Sequence, residues 1–100
     1  MIEETEWHDK KASINIKKHE GLTFEEAKEA LDDPYSIEEY DEAHSTVEEA
    51  RYNVIGAVKR KIVVFVVYTP RNDKSRIISA RYALSHERKK YYDRLREIYS

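Results

Sequence analysis

The sequence predicts an α+β fold, with two N-terminal helices, an antiparallel meander of strands and a C-terminal helix. Three observations lead there. Helical spacing and a capping signal fill the first third of the chain. Alternating and continuous apolar runs fill the middle, and helical spacing returns after residue 85.

Taken in order, Glu4 to Trp7 reads as a short edge strand. Asp9 to His19 reads as a helix, with Ala12 and Ile16 four apart and Gly21 as a stop beyond its end. Thr23-Phe24-Glu25-Glu26 is a capping box, Thr23 at the N-cap and Glu26 at the third helical position. Leu22 and Ala27 are placed for a hydrophobic staple, Phe24, Ala27 and Leu31 recur at helical spacing, and Asp32-Asp33-Pro34 stops the helix. Tyr35 and Ile37 then alternate with polar residues in a strand running out near Tyr40. The acidic stretch Asp41 to Glu49 reads as a loop.

Arg51 to Gly56 alternates again, and Lys59-Arg60 marks a turn. Lys61 to Thr69 carries the apolar run IVVFVVY, which predicts a central strand buried on both faces. Pro70 to Asp73 is a turn and Ser75 to Arg81 a further strand. Ser85 is the expected cap of the last helix, whose inward stripe is Tyr91, Leu95 and Ile98. The helices are expected on one face of the sheet. The 100 residues form one expected domain, 1–100.

Composition narrows the function classes. No cysteine is present, which removes thiolate catalysis and disulfides and suits a cytoplasmic location. The acidic start MIEETEWHDKK has no apolar segment, so it does not read as a signal peptide. No Gly-rich phosphate loop occurs, and His8, His44 and His86 show no metal-ligand spacing, so neither a metal nor a cofactor is expected. Residues 1–50 hold 5 Lys/Arg against 16 Asp/Glu, a net −11, while residues 51–100 hold 13 against 4, a net +9. The basic half is a candidate for binding phosphates or an acidic partner.

A phosphodiester is cut without metal when a cation stabilises the phosphorane and side chains move protons. In RNA the neighbouring 2′-hydroxyl is the built-in nucleophile. Arg51, Arg76 and Arg81 are candidate clamps, and His19, Glu49 and Tyr91 candidate proton carriers. Each has an ordinary structural alternative: His19 as a helix C-cap, Arg51 as a surface residue or ion-pair partner, Arg81 as a pair with Glu87 or an acidic loop residue, and Tyr91 as core. Regular alternation puts Arg76 and Arg81 on opposite sheet faces. Arg88, beside Tyr91 and Leu95, is expected to hold a carboxylate or an anion. The nuclease reading needs the arginines to meet at one pocket.

The residues resemble the BrnT family of type II toxins, ribonucleases with a RelE-like fold that pair with the antitoxin BrnA. The N-terminal part of the likeness is Trp7-His8-Asp9, Asn15, Lys18-His19, Gly21 and Phe24-Glu25-Glu26-Ala27. The middle is Asp33-Pro34, His44-Ser45, Arg51 and Ile55-Gly56. The end is Arg76-Ile77-Ile78-Ser79-Ala80-Arg81, then Glu87-Arg88 and Tyr91. His8 separating Trp7 from Asp9, and Ala50 before Arg51 in place of an acidic residue, depart from the family pattern. The resemblance implies an RNA substrate, a BrnA-like antitoxin partner, and operator DNA reached only through that antitoxin. It also implies Lys18, His19, Arg51, Arg76 and Arg81 as active-site residues, with Glu87 and Tyr91 beside them. The competing reading is a toxin-fold interaction module without catalysis. A DNA-binding regulator lacks a helix-turn-helix signal.

Overall fold

The computed structural model describes residues 4–59 and 61–99, so Arg60, half of the expected Lys59-Arg60 turn, lies outside the described residues, as do residues 1–3 of the acidic start. The elements in order are β1 (Glu4–Trp7), α1 (Asp9–Lys18), α2 (Phe24–Asp32), β2 (Ile37–Tyr40), β3 (Tyr52–Val58), β4 (Ile62–Arg71), β5 (Lys74–Tyr82) and α3 (Ser85–Tyr99). The strands form one five-stranded sheet in the order β1-β5-β4-β3-β2, with the apolar β4 central as expected.

β2 to β5 make the antiparallel meander, but β1 pairs parallel to β5, Glu4–Trp7 against residues 74–77, so the sheet is mixed. The turn between β4 and β5 is tighter than the predicted Pro70–Asp73. Pro70 and Arg71 continue the strand, and Asn72 and Asp73, at φ 53° and 62°, form the two-residue reversal that twisted hairpins favour.

The helices do not share one face. Val64 and Val66 bury one side of β4 against Leu22, Phe24, Ala27 and Ala30, while Val63 and Phe65 meet Ala83, Tyr91 and Leu95 on the other. A central strand that is apolar on both sides needs cover on both sides, and α3 supplies the second layer.

Local chemistry sets each helix. The capping box forms as predicted: Thr23 Oγ1 accepts the Glu26 N–H at 3.0 Å, and the Glu26 carboxylate accepts the Thr23 N–H at 3.1 Å. Gly56 is required where α2 crosses β3, because a Cβ there would lie 2.6 Å from the Ala30 carbonyl oxygen. α1 turns Asn15 inward, not Ile16, which is 40% exposed. The inward stripe of α3 stops at Leu95, leaving Ile98 exposed. Ser85 is the first helical residue of α3, and the Glu87 carboxylate accepts the preceding Leu84 N–H at 2.8 Å.

Candidate active site at the open edge of the sheet

The outer edge of β5 is covered by β1 only as far as Ile77. Three residues on, the Asn15 amide takes over. Its Nδ2 donates to the carbonyls of Ala80 (2.8 Å) and Leu22 (3.2 Å), and its Oδ1 accepts the Ala80 N–H (3.1 Å). The C-terminal end of α1 therefore lies along this edge. Gly21, at φ 84°, closes the helix by donating its N–H to the Ile16 carbonyl. His19 is the C-cap, the structural role its position suggested.

Lys18, His19, Glu20, Arg81 and Tyr82 line a cavity of about 170 Å³ at this edge, with Lys18 and His19 shared by a second cavity of about 150 Å³ beside Ser79. Burial holds the His19 imidazole below its ordinary 6.5, and the charges of Lys18 and Arg81 push it the same way. Its neutral form, able to take a proton, therefore dominates at neutral pH.

Arg81 is held from below. Its two terminal nitrogens donate to the two oxygens of Glu87 at 2.7 and 2.9 Å, and its guanidinium carbon lies 4.2 Å from the centre of the Phe65 ring. Burial pushes Glu87 up, but the bonds from Arg81 and the Leu84 N–H outweigh it, and the carboxyl sits below its ordinary value. Glu87 is thus committed to orienting Arg81.

The other predicted residues stand elsewhere. Val67 pairs with Ser79 and Tyr68 with Ile77, so Ile78 is the extra residue of a β-bulge. That extra residue reverses the alternation. Ile77 and Ala80 both face the core under α2, which leaves Arg76 and Arg81 on the same face, against the expectation of opposite faces. Their strand partners on β4, Thr69 and Phe65, are four residues apart, roughly 13 Å at 3.3 Å per residue. Arg76 pairs with Glu6 at 3.6 Å, and Arg51 with Glu49 at 3.0 Å. The arginines therefore do not meet in one pocket, and each has a carboxylate partner.

Arg51 also closes the acidic loop. Its N–H donates to Ser45 Oγ at 2.8 Å, and its carbonyl accepts the Asp41 N–H at 2.8 Å. Tyr91 is buried between α3 and the sheet, on the face that also carries Phe65 and Arg81, and donates its hydroxyl to Asp33 at 2.5 Å. Among the described residues Arg88 donates to the Ala83 carbonyl (2.5 Å) and Ser85 Oγ (3.3 Å) rather than to a carboxylate. Sequence reasoning gave Asn15 no task. An amide three residues after Ala12, on the inward side of a helix, was the available signal.

Comparison with known proteins agrees with this architecture. The structure is similar to the crystal structure of the Brucella abortus ribonuclease toxin BrnT, with a TM-score of 0.64 and 24% identity over 84% of this chain and 100% of that one. No curated protein matches. A family model described as the ribonuclease toxin BrnT of type II toxin–antitoxin systems matches residues 7–87, most of the sequence. The chain belongs to the BrnT family of ribonuclease toxins, a family whose members work opposite an antitoxin.

Proposed function

We propose that this chain is a metal-independent endoribonuclease acting in the cytoplasm, with its centre at Lys18, His19 and Arg81. The neutral His19 imidazole takes the proton of a ribose 2′-hydroxyl, and that oxygen attacks the adjacent phosphorus. Arg81 stabilises the charge developing on the non-bridging oxygens, and Lys18 stabilises the departing 5′-oxygen and supplies its proton. The P–O5′ bond breaks, leaving a 2′,3′-cyclic phosphate and a 5′-hydroxyl.

The pocket of three arginines that the sequence reading required is not formed, and what supports the proposal in its place is the convergence of Lys18, His19 and Arg81 on one edge cavity. Arg76, lower on the same face as Arg81, is placed for a flanking phosphate, with Arg51 a further candidate for RNA contact. Glu87 orients Arg81, and Tyr91 belongs to the scaffold. A BrnA-like antitoxin neutralises the toxin, and operator DNA is reached only through that partner. Among the described residues no helix is long and apolar enough to cross a membrane.

The test is cleavage of RNA by the purified toxin in a chelator, with end-group analysis, beside induced expression in cells. Wild type is expected to yield 2′,3′-cyclic phosphate ends and arrest growth. Arg81→Ala should lose about 10²–10³-fold in rate, as removal of a transition-state donor does. The carboxylate pairing of all three arginines favours the rival reading, an inert module that only binds an antitoxin. Absence of cleavage and of growth arrest by wild type would establish that rival.

A further inference from the structure

We infer that Asn15 is the positioning residue of this centre: its side-chain amide replaces a missing strand at the β5 edge and fixes the Lys18–His19 end of α1 against Arg81. The inference deepens the nuclease reading, although its geometry can be measured without any cleavage.

β1 is four residues long and ends opposite Ile77, so among the described residues no strand lies beside the outward N–H and C=O of Ala80. Asn15 meets both groups at once, donating to the carbonyl and accepting from the N–H, as a neighbouring strand would. A third bond, to the Leu22 carbonyl, ties in the chain after the helix has turned back. The residue is 5% exposed, and all three bonds run to backbone. An apolar side chain in its place would leave both Ala80 groups unpaired.

Position turns this clamp into a device for the site. Ala80 immediately precedes Arg81. Lys18 and His19 follow Asn15 by three and four residues, the spacing that puts them one turn further along the same side of α1. One amide thus sets the separation between the base and the phosphate clamp. The charged groups lining the two cavities at His19 are Lys11, Lys18 and Glu20 from its own segment and Arg81 from β5, with the Tyr82 ring beside them.

The experiment follows the His19 ring by NMR through a pH titration in the intact chain, assigned with a His19→Gln variant, in wild type and Asn15→Ala. Loosening α1 should rehydrate His19 and move it away from Arg81, so its pKa should rise towards the ordinary histidine value. In the cleavage assay kcat should fall, by up to about 100-fold for a misplacement near 1 Å, with KM little changed. A purely structural Asn15 would lower Tm and leave both the titration and kcat of the folded protein unchanged, and that result would overturn the inference.

Should Asn15→Ala fail to fold, hydrogen exchange in wild type decides. The Ala80 amide must be protected although no strand covers it, and exchange as fast as an open edge would sink the clamp. If wild type cleaves no RNA, the titration still reports whether Asn15 places His19, so the two ideas fail separately.

Discussion

Two carboxylates, Glu87 in the first turn of α3 and Asp33 at the end of α2, anchor polar regions of the molecule, and they are satisfied in opposite ways. Glu87, 6% exposed, takes two bonds from the Arg81 guanidinium and one from the Leu84 N–H. Asp33 takes its bonds from neutral donors, the Tyr91 hydroxyl at 2.5 Å and the N–H groups of Ala57 and Tyr35 at 2.9 Å each. The Asp33 region has the larger cavity, about 450 Å³, against about 170 Å³ beside Arg81. The proposed chemistry does not follow cavity volume. Burial, and then the Asp33 bond, push the Tyr91 hydroxyl above the usual tyrosine range, so it keeps its proton and closes the structure. The smaller cavity instead gathers Lys18, Arg81 and Glu20 around a histidine held neutral, the set on which the proposed phosphate and 2′-hydroxyl chemistry draws.

The sharpest way to test this contrast is to remove one proton-handling group from each region. His19→Ala should lower the cleavage rate by about 10²–10⁴-fold, the usual contribution of a general base, while the protein stays folded. Tyr91→Phe should do the reverse. It withdraws one donor from a charged acceptor, so stability measured by urea unfolding should fall by about 1.5–3 kcal/mol, with cleavage at a permissive temperature unchanged. Loss of cleavage by folded Tyr91→Phe would move the reaction to the larger cavity.

How much of this was legible in the sequence depended on whether the signal was local. The capping box at Thr23, the stop at Gly21 and the twice-buried β4 were readable because each depends on a few adjacent residues. The second helical layer was contained in the apolar run of β4, whose two buried faces demand cover on both sides, but the expectation of helices on one face ignored that demand. The parallel placement of β1 depends on a pairing about 70 residues away, which no local pattern records. The bulge at Ile78 is harder still. Its sequence, RIISAR, is an ordinary strand, and only the pairing with β4 shows that one residue is extra and that Arg76 and Arg81 share a face. The single pocket of arginines failed for a related reason, since residue type alone says nothing of the 13 Å or so between strand positions. Glu87 was one of two kinds of partner the sequence offered Arg81, the other being an acidic loop residue; Asn15 bonding Ala80, 65 residues on, was not legible at all.

The smallest expected effect probes what keeps His19 neutral. A histidine whose folded pKa lies below 6.5 remains a competent base as pH falls through the ordinary histidine range, so the acid limb of the cleavage profile should lie below pH 6.5. Of the three causes burial is the largest, with the Lys18 charge next and Arg81 after it. Lys18→Gln should therefore return only part of the displacement, moving the His19 titration upward but leaving it below the ordinary value. The rate of this variant is a separate reading, because Lys18 is also assigned to the leaving oxygen. A full return to the ordinary value in Lys18→Gln would mean that charge, not burial, sets the base. The contrast with the Asp33 region would then rest on charge alone.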